Sequence, residues 1–335
     1  MKSKIAFTLI IVLFSILVLK AQNSFEKLTG AYLGQKLPSY KAEIFASGLV
    51  STGLYERDLA ITVDGKEIYY SIFMGDWNTI MVTKQVNGYW TEPTVTEFAR
   101  DTNYFFAEPA LSIDGNKIYF LSTKPRENEI PKQGWQNQNI WFAERNKDGS
   151  WGISKPLPEN INAQEEFYPS LTNDGTLYFC RTDKATGTSQ ILRSKLVDGM
   201  YADPVIIPAP INENGTHFNA CIAPDDSYLI GCVVGRDSLN PRYSTYMLFF
   251  HNEDDTWSNG IDLVKELNLP CNNAISVSIS SDGKYIFFAS TKKSIYFNDL
   301  NPDWNLTNLM ERRTKPGNGN SDIYWISVES IKKLR

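Results

Sequence analysis

Pro109-Ala110-Leu111-Ser112-Ile113-Asp114-Gly115-Asn116-Lys117-Ile118-Tyr119-Phe120-Leu121-Ser122 reads as two strands joined by a tight turn. Small and larger residues alternate up to Asp114-Gly115, and an aromatic-apolar run follows. An Asp-Gly pair between such runs marks a turn because the aspartate accepts from backbone two residues on and glycine takes positive φ. Four more copies surround it: 58–71, 169–181, 220–232 and 276–290. Their turn aspartates are Asp64, Asp114, Asp174, Asp225 and Asp282, spaced 50, 60, 51 and 57 residues apart. An all-β repeat of that length predicts radial repetition.

A second turn recurs in each of the first four units. Asn87-Gly88, Asp148-Gly149, Asp198-Gly199 and Asp254-Asp255 each stand two positions before an aromatic residue: Trp90, Trp151, Tyr201 and Trp257. Pro93, Pro156 and Pro204 follow three of these aromatics, as suits an outermost strand whose N–H groups need no partner. Another strand lies between the two turns (79–84, 139–145, 190–195, 246–251), so one unit is four strands, a to d. The fifth unit ends on strand c, near Asp322. The missing strand is supplied by Ala42–Leu49, ahead of the first strand a. The fold predicted is therefore all-β: a five-bladed β-propeller of four-stranded antiparallel blades, closed by an N-terminal strand in the last blade. Six blades, the alternative, would need a further unmarked repeat, and no interval between turn aspartates is long enough for one. Residues four before each aspartate (Ala60, Ala110, Ser170, Cys221, Ser278) are small, as strands converging on an axis require.

Within 335 residues, 42% are apolar and 13% aromatic, enough to bury a sizeable core. Lys2 and Lys4, the apolar run Ile5–Leu19 and the exit Lys20-Ala21-Gln22 have the form of a secretory signal. The run is shorter than the roughly 20 residues that span a bilayer. Residues 1–22 are thus expected to be a cleaved signal peptide, 23–41 a wrap around the ring, and 42–335 one propeller domain. No cysteine follows the run closely, which speaks against a lipoprotein. The expected location is periplasmic, secreted or cell-surface, with no stable membrane insertion after cleavage. Loss of three lysines would take the net charge from −5 to −8, which argues against nucleic acid as a partner. Four cysteines in so long a chain do not make a disulfide scaffold. Cys180 and Cys232 take equivalent places in two repeats, and Cys221 and Cys232 sit in diagonal register where a bridge would be strained.

The repeats resemble the WD-like β-propeller repeat of TolB-type periplasmic proteins. The likeness is closer to exported bacterial propeller proteins of unassigned function. It is carried by Tyr32-Leu33-Gly34-Gln35, by Glu43-Ile44-Phe45-Ala46 with Gly48, and by Gly319-Asn320-Ser321-Asp322-Ile323-Tyr324-Trp325-Ile326-Ser327. It spans residues 30–335, and the leader's Ala-Gln ending resembles exported proteins of the Bacteroidetes group. The resemblance implies a fold and a compartment and brings no catalytic residues. The chain departs from the pattern in three turns that lack proline and in Asp226, which replaces glycine in the fourth. TolB-type propellers usually have six blades.

Propellers bind ligands at a mouth of the central channel, where loops enter each strand a. Six residues before the turn aspartates stand Asp58, Glu108, Tyr168, Asn219 and Ser276, one polar group per blade. With Arg57, His217 and Asn273 nearby, the expected ligand-binding set is Arg57, Asp58, Glu108, Tyr168, His217, Asn219 and Asn273. The expected partner is a protein or cell-envelope glycan, bound without catalysis by a monomer. The structural alternative is that these groups only hydrogen-bond a narrow channel. The catalytic alternative is a glycan hydrolase or lyase using Asp58, Glu108 and Glu166, since such chemistry needs converging carboxyls. No zinc spacing, phosphate loop or nucleophile elbow is present, so neither metal nor cofactor is expected. The long loops 123–138 and 291–321, with Trp135 and Trp304, and the shorter loop holding Trp77, add candidate recognition surface.

Overall fold

The computed structural model describes residues 27–236, 239–293 and 305–335. Residues 1–22, expected to be a signal peptide, and Trp304 lie outside them.

Five four-stranded antiparallel blades form the ring. Strands a, b and c are Glu56–Ile61, Glu67–Phe73 and Asn78–Val86 in blade 1, and Phe106–Leu111, Lys117–Ser122 and Asn139–Glu144 in blade 2. They are Glu165–Leu171, Leu177–Thr182 and Ser189–Ser194 in blade 3, and Thr216–Ile222, Tyr228–Val234 and Ser244–Phe250 in blade 4. In blade 5 they are Val277–Ile279, Tyr285–Ser290 and Asp322–Ser327. Strand d is two residues long throughout: Thr94–Val95, Lys155–Pro156, Val205–Ile206, Ile261–Asp262 and, in blade 5, Glu43–Ile44. Glu43 pairs with Trp325 and Phe45 N donates to Ile323 O at 2.8 Å, so the amino-terminal strand closes the ring. Pairing stops there because Ala46 and Gly48 turn the chain at positive φ.

The outer strands are broken rather than continuous. Trp151 and Trp257 each form a single bridge to strand c beside the glycine-type turn, and strand d resumes farther on. Pro93 and Pro204 fall in the gaps of blades 1 and 3, where a missing N–H interrupts the ladder.

No central core exists among the described residues. Five apolar clusters fill the five blade interfaces, one each. At the closing seam between blades 5 and 1, Trp325 is fully buried against Phe45, Phe287 and Tyr285. Tyr32, held at φ 54°, joins this cluster and donates to Asp282 Oδ2 at 3.2 Å, which fixes segment 27–41 across the seam. Within the insertion 291–321, Leu306–Arg313 forms a helix, α1, capped by Asn305 Oδ1 accepting from Asn308 N.

All four cysteines are free. Cys221 lies opposite Ile230 and Cys232 opposite Phe218, because a register shift intervenes between them.

Candidate functional site: two ends of the central channel

Strand a runs from the mouth face to the turn face. On the turn face each aspartate closes its own loop. Asp64 accepts from Thr62 Oγ1 at 2.7 Å and Lys66 N at 3.1 Å, and Asp114 from Ser112 Oγ at 2.6 Å and Asn116 N at 3.0 Å. Asp174 and Asp282 repeat the pattern. In blade 4 Ala223 lacks the hydroxyl, and Ser227 on the far side of the turn supplies it to Asp225 at 2.5 Å.

At the mouth end the same strands carry a bulge. Register shifts fall between Arg57 and Ala60, Ala107 and Ala110, Phe167 and Ser170, and Phe218 and Cys221. One residue in each bulge adopts positive φ: Asp58 at 55°, Glu108 at 60°, Tyr168 at 54° and Asn219 at 45°. These are four of the five expected ring positions. Such φ values cost roughly 1–3 kcal/mol each and persist only where the surroundings enforce them.

The surroundings are a network across blades. Asp58 N donates to Ser276 Oγ at 3.2 Å and Glu108 N to Ser71 Oγ at 2.9 Å. Tyr168 N donates to Glu108 Oε2 at 2.7 Å. The Tyr168 hydroxyl reaches from blade 3 to blade 5, donating to Val277 O and accepting from Val277 N, both at 3.0 Å. Asn219 Nδ2 donates to Ile275 O at 2.7 Å. Arg57 Nε lies 2.8 Å from Asp58 Oδ1, and its Nη2 lies 3.5 Å from Glu108 Oε1. The five ring residues are only 2–7% exposed. Burial and the Asp58 charge push the Glu108 carboxyl up to about 8, against the pull of Arg57. Burial likewise holds the Tyr168 phenol well above its ordinary range. Chemically the ring is a closed, nearly neutral knot of hydrogen bonds.

Three other expected residues stand apart from the ring. Glu166 is fully buried, receives Arg181 Nε at 2.6 Å, and does not line the channel with Asp58 and Glu108. His217 is buried with Nε2 2.9 Å from Glu213 O and its ring 6.0 Å from Phe249; desolvation holds it below the usual histidine range. Asn273 Oδ1 accepts from Ser244 N at 3.3 Å in a loop between blades 4 and 5. No group of three or more His, Cys, Asp or Glu among the described residues is arranged to hold a metal ion.

The exposed chemistry of the mouth lies beside blades 1 and 2. Loop 123–138 folds back so that Trp135, 40% exposed, stacks on Phe73 at 5.6 Å and 21° and meets Phe105 edge-on at 4.9 Å. The Arg57 guanidinium lies 4.9 Å from the Phe73 ring centre. The insertion carrying α1 docks next to it: a Cβ on Gly53 would sit 2.0 Å from Arg313 O, and Asn318 and Asn320 both donate to Gly53 O at 2.8 Å. Trp77 is half-buried, with Nε1 unpartnered among the described residues. Phe73 and Phe105 were not singled out from sequence. The available signal was an aromatic at the mouth end of a strand, adjoining a long loop that contains tryptophan.

No protein-family model matches the chain, and no curated protein is similar to it. Similar solved structures are propellers and share the fold alone. TolB from Acinetobacter baumannii is 14% identical with a TM-score of 0.45, over 82% of this chain and 55% of that one, so the chain spans about half of TolB. The α-L-arabinofuranosidase PaAbf62A from Podospora anserina is 10% identical with a TM-score of 0.43, over 90% and 96%. A GH62 hydrolase in complex with xylotriose is 9% identical with a TM-score of 0.45, over 83% and 92%.

Proposed function

We propose that this chain is an exported, non-catalytic binding propeller whose mouth face recognises a protein or a cell-envelope glycan. The observation that carries the reading is the platform of Trp135 on Phe73, set beside Arg57 and flanked by the docked insertion. An exposed indole held rigidly by two rings offers a flat apolar face to a sugar ring or an apolar side chain at little entropic cost. The ring residues support it: Asp58, Glu108, Tyr168 and Asn219 fix the strand ends, and the Arg57 guanidinium lies against the Phe73 ring. A hydrolase or lyase would need carboxyls converging on a groove, whereas Glu166 is tied to Arg181 and Asp58 and Glu108 to Arg57.

The test is a glycan array and an envelope-extract capture with the full chain, each repeated with Trp135→Ala. The expected result is a ligand whose capture falls at least tenfold in the variant while its unfolding midpoint is unchanged. Capture insensitive to Trp135 would sink the reading. Turnover of a bound glycan that disappears in Glu108→Gln would sink its non-catalytic part.

A further inference from the structure

The central channel is shut at the mouth and open at the opposite face. Exposure along strand a makes this plain. At the ring, six residues before the turn, no side chain exceeds 7%. Two residues farther on, Ala60, Ala110 and Ser278 are partly accessible, and beside the turns Val63 and Ile113 are 45% and 40% exposed. An axial cavity of about 60 Å³ runs from Asp58, Glu108 and Tyr168 down to Ile113, Asn173, Pro224 and Ser281. Those last four residues also line a depression of about 520 Å³ on the turn face, walled by Phe250, Val328 and Ile331. Sharing these four residues, the two spaces make a funnel whose wide end mixes apolar walls with Asp225, Asp282, Lys332 and Arg335 and whose tip carries Asp58 and Glu108.

The tip has unmet bonding capacity. Asp58 Oδ2 and Ser278 Oγ both belong to residues lining the cavity, both are buried, and neither has a partner among the described residues. Its charges do not balance either. Asp58 and Glu108 face one guanidinium, Arg57. Their other titratable neighbours, Tyr55, Tyr168, Cys180 and Cys232, are all held neutral by burial. With both carboxyls ionised one negative charge is left over. In the free protein a proton on Glu108 meets it, consistent with a carboxyl pushed up to about 8.

We propose that the funnel is a second ligand site, which takes a slender alkylammonium from the turn face and lays its charge against Asp58 Oδ2. The ligand must be a cation and a hydrogen-bond donor, because its charge takes the place of the Glu108 proton beside two unpartnered oxygens. Its stem must be apolar and unbranched, since small side chains line the bore and its volume admits only a short file of water-sized groups, at about 10–15 Å³ each. Five residues of strand separate collar from tip, roughly 16 Å at 3.3 Å per residue. A lysine side chain reaching in from a partner protein is too short, so the ligand is a free amine that enters whole. Binding displaces the Glu108 proton, leaving two carboxylates against two cations.

The experiment is calorimetric titration of the full chain with n-hexylammonium at pH 7, in phosphate and in Tris to count protons. Saturable binding with net release approaching one proton is expected, with no binding of hexanol, hexanoate or Nα-acetyl-lysine amide. Asp58→Asn should abolish binding. Ile113→Trp, at an exposed collar position where folding is not at stake, should weaken it at least tenfold; Trp135→Ala should leave it unchanged. Absence of binding, equal binding by hexanol or the lysine amide, wild-type affinity in Ile113→Trp, or complete displacement by potassium chloride would each overturn the proposal.

Discussion

At one end of strand a five aspartates make nearly the same bonds within their own turns, with Asp282 accepting from Tyr32 as well; at the other, five different residues each bond to another blade. The turn end is repetitive because its task is local: a carboxylate two residues from the N–H it accepts needs no help from elsewhere. The mouth end is heterogeneous because its bonds cross the axis, and a pentagonal opening filled by identical side chains would leave donors facing donors. Equivalent positions in a repeat fold thus divide into those that keep a residue and those that share out a network.

The contrast can be broken most severely at Arg57. Arg57→Met leaves Asp58 and Glu108 buried without a counter-charge and is expected to cost about 3–5 kcal/mol in urea unfolding. A cost like that of a surface site would mean the ring is not a network. Tyr168→Phe strips the hydroxyl from Val277 N and O and should cost about 1–3 kcal/mol, with faster amide exchange at Val277. Asp114→Ala, which removes an exposed carboxylate from one turn, should cost only about 0.5–1 kcal/mol, with the other four turns unaffected in amide exchange.

The two ends should also answer pH in opposite senses. Glu108 is raised to about 8, and at the closing seam Glu56 and Asp322 are raised to about 7 and 6, all chiefly by burial. Each folded pKa lies above its unfolded value near 4, so the folded state holds more protons in between and stability falls as pH rises from about 4 to 8. Asp64, Asp114, Asp174 and Asp282 are lowered, by their turn hydrogen bonds and, at Asp64 and Asp282, by lysine as well. Their contribution is present above pH 4 and disappears as pH falls below it. The unfolding midpoint should therefore peak near pH 4–5, and Glu108→Gln should flatten its alkaline side. A midpoint rising steadily to pH 8 would contradict the burial of these groups.

The blade count, the closing strand and the turn aspartates were all legible, because each rests on a short-range pattern: a period, a missing strand, a two-residue turn. The ring positions were legible as positions, since six residues back from an aspartate is a count. Their roles were not. The bulge reverses the alternation of strand a between Arg57 and Ala60, and nothing in Asp, Glu, Tyr or Asn as residue types announces it. Hence Glu166 and His217, two places farther back, turn away from the axis. The stacking of Trp135 on Phe73 joins residues about sixty apart through a loop with no periodicity. Which face of the channel opens depends on where the Tyr168 hydroxyl finds its partner, a blade interval no sequence pattern encodes.

Glu43–Ile44 has one further meaning for the life of this molecule. During synthesis Glu43 emerges long before its mate at Trp325, so four blades must wait with their first and last surfaces bare. Assembly ends with a contact between residues nearly three hundred apart, the kind that forms slowest. Until it forms, Phe45 and the seam indole are a greasy handle, the natural grip for a holding chaperone and the first place where two unfinished rings could exchange arms.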